Sequence, residues 1–262
     1  MSLTLALANE KGGVAKTTTA LSLGAALAEG KRRVLLVDLD PQANLTVSLG
    51  VQPSELSRSI TDVLLGNYAP ARLSRASPVA GLDLIPANHE LYMAEQFLGV
   101  RDSYEHLLRH ALQTLSGYDV VLLDCPPSLG PITRCALTAA QLLIIPTQCE
   151  FYSAYALREM LELIRSIRMR TNPRLRYRVL LTMLDRRNRV HRELEGQIRS
   201  AFGAAVFQTV IEVDTRLREA PVLGQPVTVY APGSRAAEQY RALAQELRQH
   251  AEETIGSTQP SA

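Results

Sequence analysis

Two lysines, a glycine pair and three aspartates could carry chemistry in this sequence. Residues 9–20 read NEKGGVAKTTTA. The general phosphate-binding loop, G-x-x-x-x-G-K-[ST], ends on a lysine and a hydroxyl, and Lys16 and Thr17 stand at those two places. Gly12 and Gly13 let the backbone turn its N–H groups inward, because glycine tolerates positive φ. A helix opening near Lys16 would add its positive end, and the two features together suit a phosphate. Lys16 is expected on the β- and γ-phosphates, and Thr17 on a Mg²⁺ ion. Val14, Ala15 and Thr18 complete the cradle.

The loop departs from the general pattern at both framing glycines, which are Glu10 and Ala15 here. A positive φ at Ala15 would cost about 1 kcal/mol for alanine. The simpler expectation is that Ala15 already lies in the first turn of the helix, where alanine is favourable.

The acids sit at strand tips. YDVVLLD (118–124) ends on Asp124, a carboxylate fit to act on magnesium through water. RVLLVDLD (33–40) carries Asp38 and Asp40, which share a side if the strand persists. Asp38 is assigned to orienting the loop or the magnesium shell. Asp40, just before Pro41, is placed to approach an attacking water and joins Thr17 and Asp124 on the metal side.

Strands must position these groups. Apolar runs at 3–9, 33–40, 82–87, 118–124, 142–147, 177–184 and 206–211 read as strands. Being almost continuous, they suit strands buried on both faces. Helical patterns at 16–29, 89–115, 153–170, 190–202 and 234–253 alternate with them. The fold class is therefore α/β: a mostly parallel twisted sheet flanked by helices on both faces, of the phosphate-loop NTPase kind. In such sheets ligands sit beyond the carboxyl ends of the strands. EKGGVAKTT, DLDPQANLT, DCPPS and PTQCE all follow strands, so four polar clusters converge on one edge. One domain is expected over 1–255, with 256–262 (GSTQPSA) a flexible tail.

These residues resemble one family closely. Lys11-Gly-Gly-Val-Ala-Lys16-Thr-Thr is similar to the deviant phosphate loop K-G-G-x-G-K-[ST] of the ParA/MinD superfamily. VLLVDLDPQANLT and VVLLDCPPS resemble the second and third motifs of its ParA/Soj branch, and PTQCEFYSAYAL and RLREAP resemble later segments. The likeness runs from about residue 3 to residue 250. It implies a partition ATPase that uses ATP and Mg²⁺. In this superfamily the front lysine, here Lys11, reaches across a dimer to the phosphates of the other subunit, so Lys11, Lys16 and Asp40 would be the catalytic set. The family has no glycine at the place of Glu10. The resemblance further implies a homodimer when ATP is bound, non-specific binding to double-stranded DNA, and a ParB-like partner that stimulates hydrolysis. A nucleoid-associated cytoplasmic location follows from it.

Charge distribution points the same way. Residues 158–199 hold twelve arginines against five acids, a surplus of seven. With a chain total of +2, the remainder is acidic by five. Such asymmetry is an electrostatic footprint for a polyanion. Arg187, Arg189, Arg216 and Arg218 are the expected DNA contacts. Where the family often shows I-P-R-N, this chain has Ile211-Glu-Val-Asp214, which removes one arginine and adds two acids.

Other classes fit less well. No apolar run reaches the ~18 residues of a membrane span, and the Ala- and Gln-rich C-terminal helix is expected to pack on the sheet rather than seek a membrane. The start of the sequence shows no secretory pattern, and no extra DNA-binding domain is expected ahead of the first strand. Cys125, Cys135 and Cys149 have no metal-like spacing and read as buried free thiols, which argues against a cluster-carrying reductase. A metabolic ATP-dependent ligase would need substrate-binding insertions at the strand ends. A positioning ATPase for another cargo would share all the chemistry above.

Overall fold

The computed structural model describes residues 2–66 and 68–256, with side chains up to residue 249. The tail expected over 256–262 lies outside the described residues from 257 on. In chain order the elements are β1 (Leu3–Leu7), α1 (Lys16–Glu29), β2 (Val34–Asp38), α2 (Asn44–Val47), α3 (Ile60–Gly66), β3 (Arg75–Ala76), β4 (Leu82–Ile85) and α4 (Leu91–Leu98). Then come α5 (Leu107–Gln113), β5 (Val120–Asp124), α6 (Pro131–Ala139), β6 (Leu142–Gln148), α7 (Ser153–Arg170) and β7 (Arg176–Thr182). The last are α8 (Arg189–Phe202), α9 (Arg216–Glu219), α10 (Val227–Tyr230) and α11 (Arg235–Gly256).

Seven strands form one sheet in the order β3-β4-β2-β5-β1-β6-β7. All pairings are parallel except the short β3, which runs antiparallel to β4. β2 and β5 are buried along their whole length because helices cover both faces. Strand alternation sorts the core into two layers. Leu5, Leu7, Leu36, Leu122 and Ile144 meet α1 and α11 on one face. Ala6, Leu35, Val37, Leu123 and Leu143 meet α4, α5, α6 and α7 on the other. α1 approaches the sheet so closely that a Cβ at Gly24 would fall 2.8 Å from Leu36 Cδ2. α11 buries Tyr240, Leu243 and Leu247 in the layer it shares with α1, where the Tyr240 and Thr19 hydroxyls are hydrogen-bonded at 3.2 Å.

Several expectations need correction. The helix expected over 89–115 is broken into α4, a 3₁₀ turn at Tyr104–His106 and α5. Gly99 follows α4, and Ser103 adopts a left-handed φ of 55°, which no helix can continue through. The strand expected at 206–211 is absent as a strand. Its Phe207 and Ile211 N–H groups donate to β7 carbonyls, and only the isolated bridges Val179↔Val206 and Leu184↔Glu212 form. β7 stops at Thr182 because Met183 turns to φ 54°. α3, α6 and β3 were not expected. Each is at most nine residues long, too short for a strong periodic signal.

Candidate active site at the carboxyl edge of the sheet

β1 lies inside the sheet between β5 and β6, so the loop that leaves it opens on the interior of the carboxyl edge. Asn9 anchors that loop. Its side-chain amide donates to the Pro146 carbonyl of β6 (2.8 Å), and its oxygen accepts from the Lys11 N–H (3.0 Å). The loop carbonyls are tied outward: Gly13 O accepts from Gln148 Nε2 (3.0 Å), and Val14 O from the Thr182 hydroxyl (3.1 Å). Among the described residues, the N–H groups of Gly12, Gly13, Val14 and Ala15 donate to no acceptor within the chain. A run of free N–H groups at the start of α1 is a nest for an anion.

Ala15 is not in the helix. It is the N-cap of α1 with φ 66° and ψ 33°, the left-handed region, and α1 begins one residue later. The loop must reverse here to bring Lys16 back over the nest, so the conformation is set by the fold and the alanine bears the strain. Gln148 and Thr182 hold the loop in this shape through its carbonyls, so the strain counts against folding rather than binding. Ala15→Gly is therefore expected to raise stability by up to about 1 kcal/mol, less the entropy glycine adds to the unfolded chain. ATP affinity should move no more than several-fold. Thermal unfolding and calorimetry read the two effects, and a hundredfold gain in affinity would show that the loop reshapes on binding.

Lys16 is buried and bent across the loop, with Nζ donating to Asn9 O (3.1 Å) and Lys11 O (3.0 Å). Burial lowers its pKa, while Asp124 and then Cys125 and Asp40 oppose that shift. Asp124 and Asp38 stand side by side in the register of β5 and β2. Asp38 accepts from the Thr46 N–H (2.9 Å), the Thr46 hydroxyl (2.7 Å) and the Asp40 N–H (3.1 Å). It thus organises the turn after β2. Burial pushes its pKa up to about 6, and the Thr46 hydrogen bonds restrain the rise.

Asp124 differs sharply. It is fully buried, and neither carboxylate oxygen has a hydrogen-bond donor in bonding geometry. Burial, and then the neighbouring Asp38, lift its pKa well above the usual carboxylate range, although Thr17 and Lys16 lie close enough to oppose the shift. An orphaned buried acid is costly unless something compensates it. A divalent cation held beside Thr17 would do so, and the all-oxygen donor set suits magnesium. Asp40 is buried at the cleft wall, and its Oδ1 accepts from the Gln42 N–H at 2.9 Å.

These groups line a cleft of about 480 Å³, within the range of small-ligand sites. Gly12, Gly13, Ala15, Lys16, Thr17 and Thr18 form its floor, while Asp40 and Gln42 lie on one side. Pro127, two residues beyond Cys125, reaches the same space. Sequence reasoning missed the far wall, which consists of Met183, Glu212, Val213, Asp214 and Leu217. The bridge Leu184↔Glu212 brings those two segments together.

Lys11 is at the rim, half-exposed. Its ammonium pairs with Glu150, just past β6, and lies 3.3 Å from Oε1 of Gln148, the last residue of β6.

The four candidate DNA arginines gather at one edge. Arg187 and Arg189 follow β7, and Arg216 and Arg218 lie in α9. The bridge at Leu184, the Val213 N–H to Leu184 O bond (3.1 Å) and the Arg186–Glu212 pair (2.9 Å) hold the two segments together. Arg187 pairs with Asp185, Arg189 with Glu193 and Arg216 with Asp214. The Arg187 guanidinium holds the Asp185 carboxyl down at about 2. Arg218 also lines the nucleotide cleft, so its position is shared between the two expected roles. Other arginines of the basic run are engaged structurally. Arg168 caps the Leu175 carbonyl, and Arg199 binds Glu195 and the Phe207 carbonyl.

Cys125, Cys135 and Cys149 are free and buried. Among the described residues no helix is long and apolar enough to cross a membrane.

Comparison with known proteins agrees with this architecture. The family model described as an AAA domain matches residues 2–177. The sporulation initiation inhibitor protein Soj of Bacillus subtilis is 41% identical over 245 residues, covering 93% of this chain and 97% of that protein. The chromosome-partitioning ATPase Soj of Thermus thermophilus is 43% identical over 250 residues, covering 95% and 96%. A Mycobacterium smegmatis crystal structure, described as cobyrinic acid a,c-diamide synthase with a bound ATP analogue and magnesium, is 39% identical. It superposes with a TM-score of 0.85 over 96% of both chains.

Proposed function

Because this chain belongs to the ParA/Soj family of partition ATPases, we propose that it binds ATP and Mg²⁺ in the central cleft. In that state it forms a sandwich dimer and holds DNA without sequence preference. A ParB-like partner stimulates hydrolysis and so ends the DNA-bound state. The observation that carries the nucleotide reading is the meeting of a free N–H nest, Lys16, and the buried Asp124 beside Thr17 at one point of the sheet edge. The two relatives named for partition or as Soj, each matched over more than nine-tenths of this chain, support the partition role.

In the proposed mechanism the nest and Lys16 hold the β- and γ-phosphates, and Lys11 of one protomer reaches the nucleotide of the other. Magnesium, held by Thr17 and by Asp124 through water, would neutralise charge on the phosphate oxygens. Asp40 positions the attacking water. Cationic and N–H donors act most strongly where charge builds, and the buried setting of this cleft strengthens them. The exposed arginines beside β7 and α9 supply DNA contacts, which form at low cost. Exposed ion pairs such as Arg187–Asp185 contribute little, so phosphates can replace the acids.

Asp40→Ala tests the assignment. The variant is expected to bind ATP normally, lose turnover, and accumulate as an ATP-bound dimer that stays on DNA. Light scattering gives the mass, and phosphate release gives the turnover. Wild-type turnover would remove Asp40 from the chemistry.

The likeness to the Mycobacterium smegmatis cobyrinic acid a,c-diamide synthase favours a second reading, an ATP-dependent amide synthase. That enzyme would consume ATP only with a carboxylic acid and an amide donor present. ATP-dependent retention on DNA in their absence separates the two.

A further inference from the structure

Helix α4 touches both loops that flank the cleft opposite the nest. Leu91, Ala94 and Leu98 bury its inner face in the core. From Tyr92 its phenol oxygen accepts from the side-chain amide of Gln42, the residue whose N–H holds Asp40. One turn later Glu95 faces α6, and its Oε2 accepts from the Ile132 N–H at 3.2 Å. An ideal Cβ at Gly130 would fall 1.9 Å from Glu95 Oε1. Gly130 has φ −76°, so no backbone requirement explains the glycine. A side chain there would meet the Glu95 carboxylate and displace it. Half-burial raises the Glu95 pKa, partly offset by the Ile132 N–H. The segment that Glu95 clamps, 125–130, begins at Asp124 and carries Pro127 into the cleft.

We propose that Glu95 is a positioning residue for ATP hydrolysis, which clamps the segment after Asp124 to α4 and thereby sets it against the Asp40 turn. The proposal rests on the nucleotide reading above. A rigid helix with one contact to each loop fixes their separation, and a misplacement of about 1 Å can cost as much as a hundredfold in rate. Nucleotide affinity resides mainly in the nest and Lys16, on the other side of the cleft, so binding and turnover should separate.

The test compares Glu95→Ala, Glu95→Gln, Gly130→Ala and the double variant Glu95→Ala/Gly130→Ala. Calorimetry gives ATP affinity, phosphate release gives kcat, and thermal unfolding checks the fold. Glu95→Ala is expected to lower kcat by about ten- to a hundredfold, with ATP affinity kept within about threefold. Glu95→Gln retains an acceptor for the Ile132 N–H and should recover most of the rate. The methyl group of Gly130→Ala should expel the carboxylate and reproduce the Glu95→Ala defect. The double variant should be no worse than either single one, since both remove the same contact. Wild-type kcat in Glu95→Ala would overturn the proposal, as would equal loss of affinity and rate, or additive losses in the double variant. The nucleotide reading fails separately, if Lys16→Ala retains ATP affinity.

Discussion

Lys16→Ala is expected to abolish measurable ATP binding while leaving the fold intact. In the proposed complex the Lys16 ammonium makes charge-assisted hydrogen bonds to the β- and γ-phosphates, each worth roughly 1.5–3 kcal/mol. Losing two of them weakens affinity by about a hundredfold or more. The same ammonium donates to the Asn9 and Lys11 carbonyls at 3.1 and 3.0 Å. The loop is anchored independently of it by Asn9 to Pro146, Gln148 to Gly13 and Thr182 to Val14. Calorimetric titration with ATP·Mg²⁺ and a thermal melt check the two halves of the expectation. Unchanged affinity would remove the loop from nucleotide binding altogether.

Lys11→Ala should separate three properties that the wild-type protein couples. ATP binding should persist, because the nest and Lys16 are untouched. Stability should hardly change, since the Lys11–Glu150 pair is half-exposed and such pairs contribute about 0–1 kcal/mol. The sandwich dimer should not form, because Lys11 acts on the partner's nucleotide. DNA binding should then fall by orders of magnitude at moderate salt, although Lys11 is not among the expected DNA contacts. With roughly three or four arginine–phosphate contacts per protomer, the dimer makes about six to eight. The slope of log affinity against log salt should be about −5 to −7 for the ATP-bound wild type and about half that for the mutant monomer. DNA binding over a salt series with ATP, beside a mass measurement, tests this. A monomeric Lys11→Ala protein with the wild-type slope would sink the gating of DNA binding by dimerisation.

The sequence by itself determined what depends on local pattern. Apolar runs of the right length became β1, β2, β4, β5, β6 and β7, and an acid or a glycine pair after a buried strand had to emerge at the sheet's carboxyl edge. That pattern placed Lys16 and Asp40 in the cleft lining and Asp38 and Asp124, fully buried, side by side at the strand ends. The loop motif with Lys11 was legible because seven consecutive residues carry it.

What only the tertiary structure decided are relations between segments distant in sequence. Ala15 was expected in the helix, yet closing the loop onto β6 and β7 through Gln148 and Thr182 drives it to φ 66°. No local propensity encodes that pull, since it arises from hydrogen bonds to residues more than 130 positions away. The far wall of the cleft is assembled by a single bridge at Leu184, so the apolar run at 206–211 could be seen but its irregular course could not. Of the arginine run, composition gave the charge but not its fate. Arg168 and Arg199 are absorbed into carbonyl caps, whereas Arg187 and Arg189 stay exposed because they occupy the turn beyond β7 and the first residue of α8. Asp124 makes the distinction plainest. Its acidity and strand position were readable, but its shortage of donors depends on Asp38 taking those of Thr46 and on Lys16 donating to loop carbonyls, which leaves Asp124 only the nearby Thr17 and the Lys16 charge, and three-dimensional packing alone sets that competition.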